Sequence, residues 1–249
     1  MRIGLHGLAA RDGAAGPWPK LVAALGEGAE VVRVDGGGDE RCAAIVVCGR
    51  LTSDAGEGRA VLEFARGGGP VLGVAEGFEA LCALGLLPGR VTVPPADEGG
   101  PERAHVRVEG RATPFTSAIP AGRVMRFDGA ATVGLRYEIG EPEALESRGQ
   151  VVFRYCDAAG GPFAPTLPPS GEREKERRVR AARVPVNEPP SQLRLSSVPL
   201  LPPHMSARAI AGVCGEGGNV VGLLTAASAI DAIGAQLLGS LRMHLRGQR

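Results

Sequence analysis

The chain has 249 residues, 44% of them hydrophobic but only 4% aromatic, and a formal net charge of +1. That length suits one large α/β domain or two small ones, with a core made mostly of Ala, Val and Leu, and the near-zero charge excludes a broad electrostatic footprint for nucleic acid. The 38 glycines and 20 prolines require many turns and at least one stretch without regular structure.

The first half alternates strands with helices. Met1 to Gly7 reads as a strand, Trp18 to Leu25 as a helix and Glu30 to Val34 as a second strand closed by Asp35-Gly36-Gly37-Gly38. Ala43 to Cys48 is wholly apolar, as a strand buried on both faces would be. Ala60 to Arg66 has helical spacing and stops at Gly67-Gly68-Gly69. Pro70 to Val74 is a further buried strand, and Glu76 to Gly85 a helix. This alternation predicts an α/β fold with a mostly parallel, doubly wound sheet flanked by helices. Ligands of such sheets bind at the carboxyl ends of the strands, where His6, Cys48 and Ala75 fall.

From about residue 104 strands dominate. His105 to Glu109 alternates like a half-exposed strand, and Gln150 to Tyr155 and Ala209 to Cys214 are two more. Glu216-Gly217-Gly218-Asn219 turns into Val220 to Leu224, and a helix from about Ser228 to Leu245 ends the pattern. Residues 157–203 carry half the prolines and the charge run Glu172 to Arg178 with little apolar periodicity. They are expected to be a mobile insertion in one domain spanning 1–249, and their mixed charge fits a solvated loop better than a nucleic-acid arm.

Cys42, Cys48, Cys82, Cys156 and Cys214 are odd in number and widely spaced, which speaks against a disulfide framework. No Cys/His cluster has metal-ligand spacing, so no metal or cofactor is expected. Neither a signal peptide nor a membrane span is legible, and the expected compartment is the cytoplasm.

Gly73-Val74-Ala75-Glu76-Gly77 joins the buried strand to the helix. A G-x-[nucleophile]-x-G turn between strand and helix presents a Ser or Cys beside backbone N–H donors. Here the central residue is Ala75, whose methyl group cannot attack a carbonyl.

The residues from Pro70 to Leu81, Gly85-Leu86-Leu87-Pro88-Gly89, Thr113-Pro114-Phe115-Thr116-Ser117, Gly149 to Tyr155, Ile210 to Cys214 and Gly218 to Leu223 share an order and spacing. Together they resemble the glutaminase subunit of phosphoribosylformylglycinamidine synthase, a class I glutamine amidotransferase. The resemblance spans most of 1–156 and 204–245. It implies a class I amidotransferase fold of flavodoxin-like type, a Cys–His–Glu triad that hydrolyses glutamine, and ammonia passed to a large synthetase subunit of purine biosynthesis. A small accessory subunit is a further expected partner; nucleic acid and membrane are not.

The chain departs from that pattern where the chemistry lies. The family Cys corresponds to Ala75, and the family His-Pro-Glu to Ala226-Ala227-Ser228. The oxyanion loop Pro-Gly-Gly reads Cys48-Gly49-Arg50, and Asn-Gly-Phe-Gln reads Glu76-Gly77-Phe78-Glu79. A family His near 128–134 has no counterpart in Asp128 to Gly134. A vestigial pocket of Gly49, Arg50, Glu76 and Glu79 is therefore expected, in a pseudo-glutaminase that docks on or stabilises the synthetase. The rivals are an active amidohydrolase with a relocated Cys48–His6 pair, and a drifted paralogue with another partner. Glu76 and Glu79 could form an acid/base pair, but carboxylates in a first helical turn more often complement the helix dipole. His105, His204 and His244 are isolated and point to no site.

Overall fold

A computed structural model describes residues 2–6, 30–33, 42–49, 51, 56–92, 103–110, 113–128, 136–162, 207–224 and 230–247. The expected helix at Trp18 to Leu25, residues 163–203 of the expected insertion, and Arg50, His204, Ala226 and Ser228 lie outside them.

Among the described residues, strands β1 (Arg2–His6), β2 (Glu30–Arg33), β3 (Ala44–Val47), β4 (Val71–Val74), β6 (Arg103–Val108), β7 (Val124–Asp128), β9 (Val151–Cys156), β10 (Ile210–Cys214) and β11 (Val220–Leu223) form one sheet in the order β2-β1-β3-β4-β11-β10-β9-β6-β7. The first five in that order are mutually parallel, and each neighbour beyond β11 is antiparallel. The α/β class and mostly parallel sheet read from the alternating pattern are present, as is the strand-rich second half. A two-stranded ribbon of β5 (Arg90–Thr92) and β8 (Arg136–Glu138) stands apart.

Alternate strand residues feed two cores, because successive side chains on a strand point to opposite faces. Ile3, Val46, Leu72, Val74, Val221 and Leu223 meet Leu237, Leu238 and Leu241 of the long helix α4 (Ile230–Gly247). Ile45, Val47, Val71, Val213 and Val220 meet the opposite layer, made of helix α1 (Gly56–Arg66), helix α2 (Glu76–Ala83) and Leu145 of the short helix α3 (Pro142–Ser147). Each fully buried Leu or Ile stabilises by about 1.5–3 kcal/mol relative to exposure.

The Thr113–Ser117 stretch, one of the stretches that carry the resemblance, is a turn bolted to α4. Thr116 Oγ1 accepts from the Thr113 amide at 3.0 Å, and the Ala118 amide donates to buried Ser240 Oγ at 2.9 Å. Asn219 has a comparable role across the sheet. Its Nδ2 donates to the carbonyls of Ala65 (2.8 Å) and Gly69 (2.9 Å), so the β10–β11 turn holds the loop that leads into β4. Helix α1 begins at Gly56, earlier than Ala60, and takes in buried Gly58 despite the low helix propensity of glycine.

Candidate functional site

The end of β4 and the start of α2 meet at Ala75. Its backbone has φ 54° and ψ −118°, a conformation that suits glycine and strains any residue with a Cβ. Three contacts hold it there. The Ala75 amide donates to the Leu223 carbonyl at 3.2 Å, the Phe78 amide donates to the Ala75 carbonyl at 3.0 Å, and Gly77 presses against the Val47 carbonyl with no space for a side chain. Gly73 is packed as tightly below: a Cβ there would lie 2.8 Å from the Gly77 carbonyl oxygen. The expected strand–turn–helix geometry is present with a methyl group at its apex.

Phe78 fixes the helix from its inner side. Its ring stacks on Tyr137 with centroids 5.2 Å apart, and Gly222 of β11 leaves the space beneath it. Tyr137 Oη donates to the Pro88 carbonyl at 2.7 Å, which ties the β5–β8 ribbon to the helix. Burial pushes the Tyr137 phenol well above its ordinary pKa.

The two carboxylates singled out in the sequence occupy different environments. Glu76 is exposed on the first turn of α2. Glu79 is half-buried, and its Oε2 is enclosed without a hydrogen-bond donor. No side chain caps α2, so both carboxylates stand at the positive end of its dipole. Gly49 is buried just past the end of β3.

Cys48 and His6 do come together at the ends of β3 and β1, where the Cys48 amide donates to the His6 carbonyl at 3.2 Å. His6 is 1% exposed. Cys48 keeps some exposed surface, but burial of its thiol pushes the pKa up to about 12. A nucleophilic thiol needs the opposite environment, one that favours thiolate. Cys82 is raised to about 12 by burial and, secondarily, by Glu79, and its Sγ lies 3.8 Å from the Pro88 carbonyl. Cys42, Cys156 and Cys214 are buried. Among the described residues no His, Cys, Asp or Glu cluster could hold a metal ion, and no helix is long and apolar enough to cross a membrane.

Sequence reading missed three features of this end of the sheet. Tyr155 Oη donates to the Leu224 carbonyl at 2.9 Å and so pins the last described residue before 225–229. Its phenol is pushed up by burial. Arg208 and Ala209 both have positive φ, at 51° and 56°. The Leu224 amide donates to the Ala211 carbonyl at 2.8 Å, so this turn stands at the same end of the sheet as Ala75. Arg107 and Arg154 are register partners on β6 and β9 and share the Glu109 carboxylate. Tyr155 and Arg154 lie within a stretch that carries the resemblance, but the main-chain carbonyls they hold are 69 and 54 residues away, which no local pattern shows.

No protein-family model matches the chain. A Rhodopseudomonas palustris (strain ATCC BAA-98 / CGA009) protein named "Phosphoribosylformylglycinamidine synthase subunit PurQ" is 32% identical over 205 residues, covering 80% of this chain and 70% of that protein. A protein of the same name from Rhodopseudomonas palustris (strain BisB18) is 40% identical over 141 residues, 55% of this chain and 58% of the relative. One from Thermomicrobium roseum is 36% identical over 166 residues, covering 66% of this chain and 56% of the relative. The chain thus spans from 56% to 70% of the length of these three relatives. Among solved structures, a chain from "Structure of PurLQS from Thermotoga maritima" superposes with a TM-score of 0.63 at 19% identity, covering 98% of both chains. The Trypanosoma brucei CTPS glutaminase domain with bound acivicin gives 0.55 at 11% identity, covering 99% of this chain and 94% of that one. These two likenesses concern the fold, a class I glutamine amidotransferase architecture.

Proposed function

The chain belongs to the family of phosphoribosylformylglycinamidine synthase PurQ subunits, and from that premise we propose that it is a non-catalytic member that docks on the large synthetase subunit of purine biosynthesis. The single observation that carries this reading is Ala75: the strained elbow is built in full, with a methyl group where attack on an amide needs a thiolate. The resemblance adds that the proton-shuttling His and its orienting Glu correspond to Ala226 and Ser228. Removing a covalent nucleophile or its base costs about a millionfold in turnover. With all three positions changed, positioning effects alone would remain.

The chain's contribution is then structural or regulatory. A synthetase reaction fed by free ammonia needs no glutaminase, yet still gains from a subunit that orders the large one. The surface around Ala75 and the neighbouring loops is the expected docking face, because ammonia made at an active elbow would have to leave there. One solved chain of the same fold comes from a structure named PurLQS, and we propose that this chain likewise assembles with a large synthetase subunit and a small accessory subunit.

The test measures ammonia release from glutamine by the purified chain, alone and with the large subunit of the same organism, beside synthetase turnover on free ammonia. No release, together with ammonia-dependent synthesis raised by adding this chain, is the expected result. Glutamine-derived ammonia would overturn the non-catalytic reading. Failure of the two chains to associate would overturn the docking reading and favour a drifted paralogue.

A further inference from the structure

Two arginines on neighbouring strands each grip a main-chain carbonyl at the elbow end of the sheet. Arg107 Nη1 donates to the Gly160 carbonyl at 2.7 Å, where the chain leaves β9 towards residues 163–206. Arg154 Nη1 donates to the Arg208 carbonyl at 2.6 Å, where the chain returns. Glu109 joins the two, at 2.9 Å from Arg107 Nη2 and 3.8 Å from Arg154 Nε. Glu146 of α3 completes the set: Oε1 is 2.6 Å from Arg154 Nη2 and Oε2 is 2.8 Å from Arg208 Nη1. Glu143 takes the other Arg208 nitrogen at 2.7 Å.

We propose that this cluster is a charge clamp that holds the Arg208–Ala209 turn in its left-handed conformation and thereby sets how β10 starts beside the end of β11. Two consecutive non-glycine residues at φ 51° and 56° do not adopt that backbone on their own account. Strained backbone persists only where the surroundings over-determine it. Here the surroundings are specific: the Arg208 carbonyl is held by Arg154, its guanidinium is held by two carboxylates of α3, and Arg154 itself is only 18% exposed. Charged hydrogen bonds of this length are the strong kind, and bidentate use of a guanidinium fixes direction as well as distance. The β9–β10 register shifts twice between Ile210 and Val213, so on its β9 side the strand has no regular ladder at its start, and the regular pairing with β11 begins only at Gly212. The clamp supplies that missing constraint at a rim shared with Ala75. Because several of its members are partly exposed, it is an ionic-strength-sensitive device.

The test is amide hydrogen exchange of the full chain, read at Leu224, whose amide bonds to the Ala211 carbonyl, with Val71 of β4 as the internal reference. Glu146→Gln is expected to speed exchange at Leu224 at least tenfold with Val71 unchanged. In an Ala209→Gly background, which relieves strain without touching an ion pair, the same substitution is expected to give less than a threefold effect. Raising NaCl to molar concentration with the unaltered protein should reproduce the Leu224 change. Unchanged Leu224 protection in Glu146→Gln, or an equal effect in both backgrounds, would overturn the clamp. Neither outcome depends on whether the chain docks on a synthetase or hydrolyses glutamine.

Discussion

The carbonyl oxygen of Val47 occupies the space that a side chain on Gly77 would need. This one contact sets how closely helix α2 approaches the Val47–Cys48 backbone at the end of β3. Gly77→Ala is therefore expected to destabilise the protein by about 2–3 kcal/mol or more, since backbone cannot give way as a flexible side chain can. Chemical denaturation would register it as a lower midpoint at constant slope; an unchanged midpoint would mean that the helix lifts freely.

Ala75→Gly is expected to act in the opposite direction. Relief of a positive φ is worth about 1–3 kcal/mol, and the greater freedom of glycine in the unfolded chain takes back up to about 1 kcal/mol. A net gain of about 1 kcal/mol should appear as a higher melting temperature. A loss would show that the buried methyl packs more favourably than its backbone is strained.

Ala75→Cys alone is expected to leave ammonia release from glutamine at the level of the unaltered chain. The thiol would stand on a correctly shaped turn, but the positions that correspond to base and orienter are Ala226 and Ser228. Glutaminase turnover by this single variant, with or without the synthetase, would refute the reading that the triad is dismantled.

Cys48 should be chemically quiet. With its pKa pushed up from an ordinary 9.0 to about 12 by burial, its thiolate fraction at pH 8 is about a thousandfold below that of a free thiol. Alkylation of the folded protein should spare it, and Cys48→Ala should leave any measured activity unchanged. The linkage sign follows from the raised value: the folded state keeps the proton that the unfolded state releases above pH 9. Burial of Cys48 thus favours folding fully below pH 9, and that contribution falls as pH rises towards 12. Fast labelling of Cys48 near neutral pH would restore the relocated-nucleophile alternative.

Glu146 behaves with the opposite sign. Its hydrogen bond from Arg154, with Arg154 and Arg208 charge beside it, holds the carboxyl below its ordinary 4.5. Its contribution is present above pH 4.5 and is lost as pH falls through the lowered folded value. The protection of the Leu224 amide relative to its intrinsic exchange rate should therefore fall in acid in the unaltered protein and stay constant in Glu146→Gln.

The alternation of apolar runs with helical spacing made β1 to β4, the elbow helix and the parallel sheet legible, because burial on both faces leaves a continuous signal along the chain. His105 to Glu109 alternated visibly, and Val106 and Val108 are the buried members. The ribbon strands Arg90–Thr92 and Arg136–Glu138 have three residues each, too few for a period to emerge. Helix α3 has six residues, and its one local signal was Pro142 at the first turn. At the site, the sequence shows Ala75, which carries no nucleophilic atom, at the centre of the G-x-x-x-G spacing between strand and helix. It also placed Cys48 and His6 at the ends of two strands, while the pairing of those strands and the environment that suppresses the thiol emerged only from packing.

By itself, then, the sequence determined the fold class, the family pattern and the absence of a nucleophile at residue 75, all of which depend on residue type and near-neighbour spacing. Only the tertiary structure decided that Ala75 keeps a strained backbone, that Gly77 must be bare against the Val47 carbonyl, and that Arg107 and Arg154 reach carbonyls 53 and 54 residues away. Those facts depend on which strands become neighbours and in what register. Register is set by the burial of the whole sheet rather than by any segment of it.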